Sequence, residues 1–358
     1  MKNKHPLLWV IPLVLLLALI PFIVPSSLSS AGAEETADLP VYTPVVLANP
    51  DPGPVPTETA TDKNRTVEKV VYGPHADAFT VNEKGQLRGY LDGTLSVRMD
   101  ERRIQHTRVI FTWVQIADPT QIRSLFASPY PSQSTNYPNR LTERDRSVLA
   151  LNGDYCTGIS EGLVVRNGTE YRRVAAERYD QLIIDLNGDF HILKNPTLDS
   201  FEPYNGNILH SFIFGPALVV DGELQELGEQ RDYGHNMTFV KKTQRQAICQ
   251  MGPLSYLIIT TEGPDQTKGG GLTMYELAQL AYDMGALQAY NLDGGSSTWL
   301  LLKSERVSNS TGRNLRPVTD LIYFVTAEPE PEPTAVPTEE APAEPAEGAG
   351  EAGSGANP

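Results

Sequence analysis

The chain has 358 residues, of which 40% are hydrophobic and 20% charged, and its formal net charge is −15 at pH 7. Much of the excess acid lies near the carboxyl terminus, where residues 328–358 contain eight glutamates and no basic residue. The remaining body is only mildly acidic, so its charge gives no basis for binding nucleic acid, and no nucleic-acid partner is expected.

The amino terminus has the three parts of an export signal. Lys2 and Lys4 precede an apolar run over residues 7–24, and Ala31-Gly32-Ala33 supplies a cleavage motif of small residues. Residues 1–33 are therefore predicted to be a secretory signal peptide. The apolar run is nearly long enough to span a bilayer, so an uncleaved membrane anchor is the alternative. Either way, the body is expected to be secreted or extracytoplasmic, with 34–65 as a Pro/Thr-rich linker and 328–358 as a disordered acidic tail.

Residues 66–327 are predicted to form one domain, which is long enough to bury a core. Helical patterns are confined mainly to 120–126 and 274–284, and they do not alternate regularly with strands. The predicted fold class is therefore α+β, a mixed β-sheet with a few packed helices in a single domain. Hairpin turns are predicted at Asn167-Gly168, Asn187-Gly188 and Asp221-Gly222. Strands are predicted over residues 109–116, 147–151, 162–165, 181–186, 208–214, 217–220, 246–250, 256–261, 288–292, 298–302 and 321–325.

The densest group of candidate functional residues is Asn291-Leu292-Asp293-Gly294-Gly295-Ser296-Ser297. It places one carboxylate beside two glycines, which let the backbone approach a ligand closely, and beside hydroxyl side chains. Asp-Gly is also the commonest short-hairpin signal, so a plain turn between two strands is the alternative. Upstream, a capping box of Thr273 and Glu276 begins the predicted helix 274–284, and Gly285 is its predicted cap.

Four further motifs accompany this segment: Asn152-Gly153-Asp154, a Gly-Pro-x-Leu-Val-x-Asp-Gly sequence at 215–222, Arg245-Gln246-Ala247-Ile248, and Arg316-Pro317-Val318. In this order they resemble the phosphodiester glycosidase family over residues 67–326. Three positions depart from the family pattern. Asp154 replaces a small residue, Glu262-Gly263-Pro264-Asp265 replaces Asp-Gly-Arg, and Cys249 replaces glycine. The resemblance implies a hydrolase that cleaves a sugar-1-phosphodiester.

The resemblance also suggests roles for individual residues. Asp293 is the first candidate for the carboxylate that acts at the anomeric carbon or activates water, while Asp154 and Glu262 compete for the second catalytic role. Arg245 would bind the phosphate through a bidentate fork. The backbone amides and hydroxyls of Gly294, Gly295, Ser296 and Ser297 would complete that site. Asn152 would hydrogen-bond the ligand from its turn.

Each of these candidates has a structural alternative. Arg245 could pair with a surface acid, Asp154 could cap the turn after Asn152, and Glu262 could be an exposed loop acid. The histidines of the body are scattered without metal-ligand spacing, and a calcium ion at Asp293 lacks a ligand cluster. The sequence therefore predicts neither a metal nor a cofactor.

Cys156 and Cys249 are the two cysteines of the chain. Each follows a motif that the resemblance places at the site, and export would bring both into an oxidising compartment. A disulfide between them is therefore predicted, with two buried free thiols as the alternative.

The resulting hypothesis is an exported hydrolase that cleaves a glycosyl–phosphate linkage in an envelope or exopolysaccharide glycan, with a carbohydrate or sugar-phosphate as its partner. The alternative is a non-catalytic carbohydrate-binding or exopolysaccharide-assembly protein with the same fold. An envelope amidase or peptidase is a third hypothesis. The sequence does not determine the oligomeric state.

Overall fold

Apolar and β-branched runs in this chain pair into antiparallel sheets. The computed structural model describes residues 39–41, 43, 45–48, 72–144, 146–229, 238–263, 270–308 and 316–329. All of them belong to Leu39–Pro358, one of two units into which contacts divide the chain. The predicted signal peptide or anchor lies outside the described residues, as do most of the linker and of the acidic tail. In the described ranges, no helix is long and apolar enough to cross a membrane.

The described strands, in chain order, are β1 (Phe79–Val81), β2 (Leu87–Leu91), β3 (Leu95–Ile104), β4 (Thr107–Ile116), β5 (Ile122–Phe126), β6 (Leu149–Asn152), β7 (Leu163–Arg166), β8 (Thr169–Arg173), β9 (Gln181–Asp185), β10 (Phe190–Leu193), β11 (Ile208–Ile213), β12 (Ala217–Val220), β13 (Glu223–Leu224), β14 (Arg245–Gly252), β15 (Ser255–Thr261), β16 (Gln288–Asn291), β17 (Leu300–Leu302), β18 (Glu305–Arg306) and β19 (Asp320–Phe324). The α-helices are α1 (Pro138–Arg144) and α2 (Met274–Asp283). Every predicted strand corresponds to one of these, with ends that differ by a few residues.

The strands form four sheets within the described part of the chain. Their orders are β1-β2-β3-β4-β15-β14-β16-β12-β13, β18-β17-β6-β19-β5, β10-β9-β11 and β7-β8. Every pairing of named strands is antiparallel. The structure is mostly β-sheet with few helices, which is compatible with the predicted α+β class. The prediction of a mixed sheet, which would combine parallel and antiparallel strands, is wrong. Parallel strands need long crossovers, whereas many consecutive strands here are joined by short hairpins.

The three predicted hairpin turns are confirmed. They join β7 to β8, β9 to β10 and β12 to β13, which pair with one another. In the first turn Asn167 and Gly168 have φ of 50° and 76°, and in the third Asp221 and Gly222 have 52° and 79°. Positive φ at both central residues is the geometry that matches the twist of the flanking strands.

One predicted helix is confirmed and the other is wrong. Thr273 and Glu276 form the expected capping box at the start of α2, and Gly285 follows its end with φ of 78°. At 120–126, Asp118 caps a single 3-10 turn, Pro119–Gln121, and the chain then enters β5. Pairing of β5 with β19 outweighs the local helical pattern there.

Two apolar layers cover the two faces of the nine-stranded sheet. On β4, Ile110 belongs to the layer shared with Leu151 and Ile322 of the five-stranded sheet. The adjacent Phe111 belongs to the layer that contains Leu277 of α2. Because both faces of β4 are buried, its apolar residues occupy adjacent positions instead of alternating with polar ones, as in Val109-Ile110-Phe111.

Three segments meet at one edge of the five-stranded sheet. β6 ends at Asn152, and its two neighbours β17 and β19 run antiparallel to it. The beginnings of β17 and β19 therefore lie beside the end of β6. After β16 of the nine-stranded sheet, the chain continues through Asp293 to the same edge. Residues that follow strands of both large sheets therefore lie there.

Candidate active site

Asn152 connects the segments at this edge through its side-chain amide. Its Oδ1 accepts a hydrogen bond from the Trp299 N–H at 3.0 Å, and its Nδ2 donates to the Asp293 carbonyl at 2.7 Å. The residue is buried. Asn152 therefore holds both ends of the segment between β16 and β17, in addition to lining the cavity described below.

The Asp293-Gly294 segment is not a hairpin, because β16 and β17 belong to different sheets. Gly294 passes so close to the 243–245 backbone that a Cβ there would lie 2.9 Å from the Gln244 carbonyl oxygen. Gly295 follows with φ of 61° and donates to the same carbonyl at 3.0 Å. Gly294 is therefore required for the close backbone approach, whereas Gly295 is favoured by its left-handed conformation.

The backbone amides of this segment already donate within the protein. The Gly294 N–H donates to Asp293 Oδ1 at 2.8 Å, and the Ser297 N–H donates to the Gly294 carbonyl at 3.2 Å. With the Gly295 bond to Gln244, three of the four predicted amide donors for a phosphate are engaged. Ser296 accepts the Arg316 N–H at its carbonyl, 3.0 Å away.

A cavity of about 240 Å³ opens at this edge of the sheet. Three of the predicted site residues line it, namely Asn152, Asp293 and Ser297. Gly294, Gly295, Ser296, Asp154, Glu262 and Arg245 are not among its described lining residues. The lining also includes residues that the sequence reasoning did not select, which are Gln133, Thr135, Gly153, Tyr155, Arg316, Pro317, Val318, Thr319 and Asp320.

Arg316 is the cation of this cavity. Its Nε donates to Ser297 Oγ at 2.6 Å, and its Nη2 lies 3.3 Å from Asp293 Oδ2. Its carbonyl accepts the Trp299 indole N–H at 2.9 Å, which fixes the backbone from which the side chain extends. The side chain is 55% exposed, so it remains open to a ligand. The sequence analysis identified Arg316 as part of the Arg-Pro-Val motif but predicted no role for it.

The Asp293 carboxyl is shielded from solvent, with 14% of its side chain exposed. Burial raises its pKa, while hydrogen bonds from Ser297 and the Gly294 N–H and the charge of Arg316 oppose the rise. A carboxylate with a raised pKa is a stronger base than an exposed one. Asp293 thus lines the cavity with a carboxyl whose pKa burial raises.

Beneath the cavity, Arg166 joins two buried carboxylates. Its Nη2 lies 2.9 Å from Asp154 Oδ1 and 3.3 Å from Asp320 Oδ2, and all three side chains are at most 2% exposed. The same nitrogen donates to Cys156 Sγ at 3.3 Å. Asp154, Cys156 and Asp320 place one ligand atom each within 4.8 Å of one another, as a metal site would. The guanidinium contacts all three, so the protein's own cation lies where such an ion would bind.

Asp154 and Asp320 shape the loop after β6. Asp320 accepts the N–H groups of Asp154 and Tyr155, each at 3.1 Å, and Asp154 Oδ1 accepts the Cys156 N–H at 3.0 Å. Asp154 therefore caps this loop through its bond to the Cys156 N–H, as the turn-capping alternative expects, and it also pairs with Arg166. A Cβ on Gly153 would lie 1.8 Å from Asp320 Oδ2, so glycine alone fits at that position.

We expect Asp320 to make stability depend on pH. Burial and the neighbouring charge of Asp154 raise the pKa of Asp320 from 3.8 to about 7. The folded chain then holds this proton more tightly than the unfolded chain, so the contribution of Asp320 to the free energy of unfolding falls as pH rises from about 4 to about 7. Asp320→Asn should show a flatter dependence over that window.

Denaturant unfolding of both proteins at several pH values measures this difference. The comparison cancels groups that do not interact with Asp320. One of these is His210, whose pKa burial lowers to about 3 and whose contribution is lost as pH falls below its ordinary value of 6.5. Parallel pH profiles for the two proteins would contradict the assignment.

Arg245 and Glu262 lie outside the cavity. The Arg245 guanidinium donates to the carbonyls of Leu272 and Lys241, each at 3.0 Å, and also to that of Thr238. Burial lowers its pKa to about 10. Glu262 is buried and pairs with Arg108 rather than being an exposed loop acid. The backbone of Arg245 lies near Gly294, but the structure does not bring either of these two side chains into the cavity with Asp293.

The predicted disulfide is wrong, because both cysteines are free thiols. Cys249 lies on β14 between Leu257 and Ala289 of the neighbouring strands and is fully buried in the layer that contains α2. Cys156 is held by Arg166 in the same layer. Burial raises the pKa of both thiols, which disfavours the reactive thiolate.

A curated relative, the SPbeta prophage-derived uncharacterized protein YomE of Bacillus subtilis (strain 168), is 27% identical over 187 residues. That match covers 51% of this chain and 28% of the relative, so the chain spans less than a third of the relative's length.

A solved structure with a TM-score above 0.5 resembles this one in fold. The catalytic domain of zebrafish N-acetylglucosamine-1-phosphodiester alpha-N-acetylglucosaminidase, auto-inhibited by its pro-peptide, has a TM-score of 0.51 at 16% identity. The match covers 71% of this chain and 86% of that domain. A hypothetical protein from Synechocystis has a TM-score of 0.49 at 16% identity, over 65% of this chain and 62% of its own.

A sequence model of the phosphodiester glycosidase family matches residues 145–325, about half of the chain. This range includes Asn152, Asp293, Arg316 and Asp320, which are four of the polar residues that line the cavity. The resemblance inferred from the motifs is confirmed, and the chain belongs to the phosphodiester glycosidase family.

Proposed function

We propose that this protein hydrolyses a sugar-1-phosphodiester. The observation that carries the proposal is the arrangement of Asp293, Arg316 and Ser297 around one small cavity, with the Arg316 guanidinium bonded to both partners. A carboxylate and a half-exposed guanidinium in one cavity match a substrate that has an electrophilic carbon next to an anion. Family membership supports the same reaction class.

In the proposed reaction, water attacks the anomeric carbon and the bond between that carbon and the phosphate oxygen breaks. Asp293 takes a proton from the attacking water, and its raised pKa suits it to this role. Arg316 binds the phosphate oxygens and stabilises the charge that develops as the phosphate monoester leaves. A phosphate monoester is already a good leaving group, so the reaction depends less on a second carboxylic acid than ordinary glycoside hydrolysis does.

The proposed substrate is a glycan outside the cytoplasm, in the cell envelope or an exopolysaccharide. This part of the proposal is supported by the signal-like residues 1–33 and by the spacer-like composition of 34–65 and 328–358. The alternative of a non-catalytic carbohydrate-binding or assembly protein has the same fold and would use the same cavity.

A direct assay separates these functions. Purified full-length protein is incubated with uridine-diphosphate N-acetylglucosamine and with nitrophenyl sugar-phosphodiesters, and free sugar is measured. Nitrophenyl glycosides without phosphate are the control substrates. Release of sugar from the phosphodiesters alone is expected. A ligand-induced rise in Tm without release of sugar would instead favour the binding protein.

Arg316→Lys should impair phosphodiester hydrolysis, because a single ammonium cannot contact Ser297, Asp293 and a phosphate with the geometry of the guanidinium fork. We expect a higher KM and a lower kcat, with kcat/KM reduced on the order of tenfold to a hundredfold. Steady-state kinetics with the same substrates measure these changes in KM and kcat.

Arg98→Lys is the matched control, because Arg98 is also about half exposed and lies 3.5 Å from a single carboxylate, Asp100. It should behave as the parent protein does. Unchanged kinetics for Arg316→Lys would remove this residue from the proposed mechanism.

A further inference from the structure

A group of three aromatic side chains adjoins the cavity. The rings of Phe126, Tyr130 and Tyr171 have centroids 5.2–5.4 Å apart in all three pairs. We call these residues the aromatic platform. Tyr171 is 43% exposed, and Phe126 and Tyr130 are half-buried. Phe126 and Tyr130 pack against the layer that contains α2, and the platform keeps part of its aromatic surface open to solvent.

The platform is continuous with the cavity through the backbone of β5 and β19. Phe126 is the register partner of Asp320, and the Ala127 N–H donates to the Thr319 carbonyl at 2.7 Å. Thr319 and Asp320 both line the cavity. The loop that carries Tyr130 continues to Gln133, another lining residue, whose side chain donates to the Thr157 carbonyl at 3.1 Å.

A buried cation supports the platform from below. The Arg166 guanidinium lies 5.4 Å from the centroid of the Phe126 ring and 4.4 Å from that of Phe212. The same guanidinium contacts Asp320 on the cavity side. Phe126 of the platform and Asp320 of the cavity therefore contact the same buried guanidinium, that of Arg166. This shared contact fixes the position of the platform relative to Asp320.

We propose that the aromatic platform is a subsite for the sugar chain of the substrate, beyond the ring whose phosphodiester is cleaved. This inference rests on the proposed function and specifies its substrate as an oligosaccharide or polysaccharide. The cavity, about 240 Å³, is smaller than the roughly 300–1,000 Å³ of typical ligand pockets, so it holds about one sugar ring with its phosphate. Any longer chain must continue over the adjacent surface.

The chemistry of the platform fits a sugar better than a wholly apolar partner. A pyranose ring has faces rich in C–H bonds and a rim of hydroxyl groups. Tyrosine offers an aromatic face together with a hydroxyl that can donate or accept a hydrogen bond. Two partly accessible tyrosines beside a sugar-sized cavity thus match the alternation of C–H faces and hydroxyls along a glycan.

Affinity electrophoresis tests the subsite separately from turnover. Full-length Asp293→Asn protein, which should not consume the ligand, is run in native gels that contain dextran, hydroxyethyl cellulose or glycol chitin. We expect at least one polymer to retard it. Tyr171→Ala in this background should raise the apparent Kd roughly tenfold, whereas Tyr171→Phe, which keeps the ring, should not.

Tyr275→Ala is the matched control, because Tyr275 is 46% exposed and lies on α2 away from the cavity lining. Its retardation should equal that of the parent. Failure of all three polymers to retard the protein, or equal retardation of Tyr171→Ala, would overturn the subsite. So would a dimer in sedimentation that Tyr171→Ala dissociates, because a second copy would then cover the platform.

The two proposals fail in different ways. Retardation that depends on Tyr171, combined with no release of sugar by the protein with Asp293 intact, would keep the glycan subsite and reject the hydrolase. Release of sugar from the small phosphodiesters without polymer binding would keep the hydrolase and reject the subsite.

Discussion

Replacing Asp293 with asparagine should lower kcat for sugar-1-phosphodiesters by roughly 10²- to 10⁴-fold, the usual contribution of a positioned base. Asparagine keeps the size of the side chain and can still accept the Gly294 N–H, which is 2.8 Å from Oδ1. It cannot take a proton from water. Because the change removes a transition-state role and little ground-state contact, KM should change much less than kcat.

Asp221→Asn is the matched control for this substitution. Asp221-Gly222 is the same dipeptide, but it forms an ordinary exposed hairpin turn between β12 and β13. Its turnover should equal that of the parent protein. If Asp293→Asn retained full turnover, or lost it only through a large fall in Tm, Asp293 would be a structural turn residue and not the base.

Removing the buried cation should cause the largest loss of stability. Arg166→Met keeps much of the side-chain volume but leaves Asp154 and Asp320 buried without their shared guanidinium. Breaking a buried pair in this way typically costs about 3–5 kcal/mol, because the charge left behind stays desolvated. Denaturant unfolding of the parent and variant proteins, monitored by circular dichroism at pH 7, measures the change in free energy of unfolding.

Arg178→Met serves as its control. Arg178 also pairs with a carboxylate, Glu161, but its side chain is 58% exposed, and exposed pairs contribute about 0–1 kcal/mol. Equal losses for the two variants would show that the buried network contributes no more than a surface pair. Lower pH should partly relieve the Arg166→Met defect, because Asp320, whose pKa burial raises, then loses its charge beside Asp154.

The sequence correctly predicted those elements whose conformation is determined by residues close in sequence. The capping box of Thr273 and Glu276 and the Asn167-Gly168 turn are determined by side-chain to backbone bonds and by φ preferences. The pattern at 120–126 failed for a non-local reason. Its strand state comes from pairing with β19, almost 200 residues later in the chain, which no short window contains.

The candidate site was predicted in part for the same reason. Asp293 and Asn152 were identified because their motifs are locally unusual, and they do line the cavity. Arg245 also lies in a motif, but its guanidinium holds loop carbonyls, and only the tertiary structure distinguishes that use from phosphate binding. Arg316 was overlooked as a site residue because its partners, Ser297 and Asp293, come from a different strand connection.

Because the chain crosses from one large sheet to the other between β16 and β17, the geometry of the cavity depends on how these two sheets pack against each other. Hydrogen bonds fix the strands within each sheet, whereas between the two sheets the bond from Asn152 to Asp293 acts together with the packing of side chains such as Tyr290 and Ile322. A methylene gained or lost there would shift Asp293 relative to Asn152 without touching either residue. Substitutions deep in the interior would thus alter the geometry of the cavity, so the packing layer and the proposed hydrolase activity should evolve together.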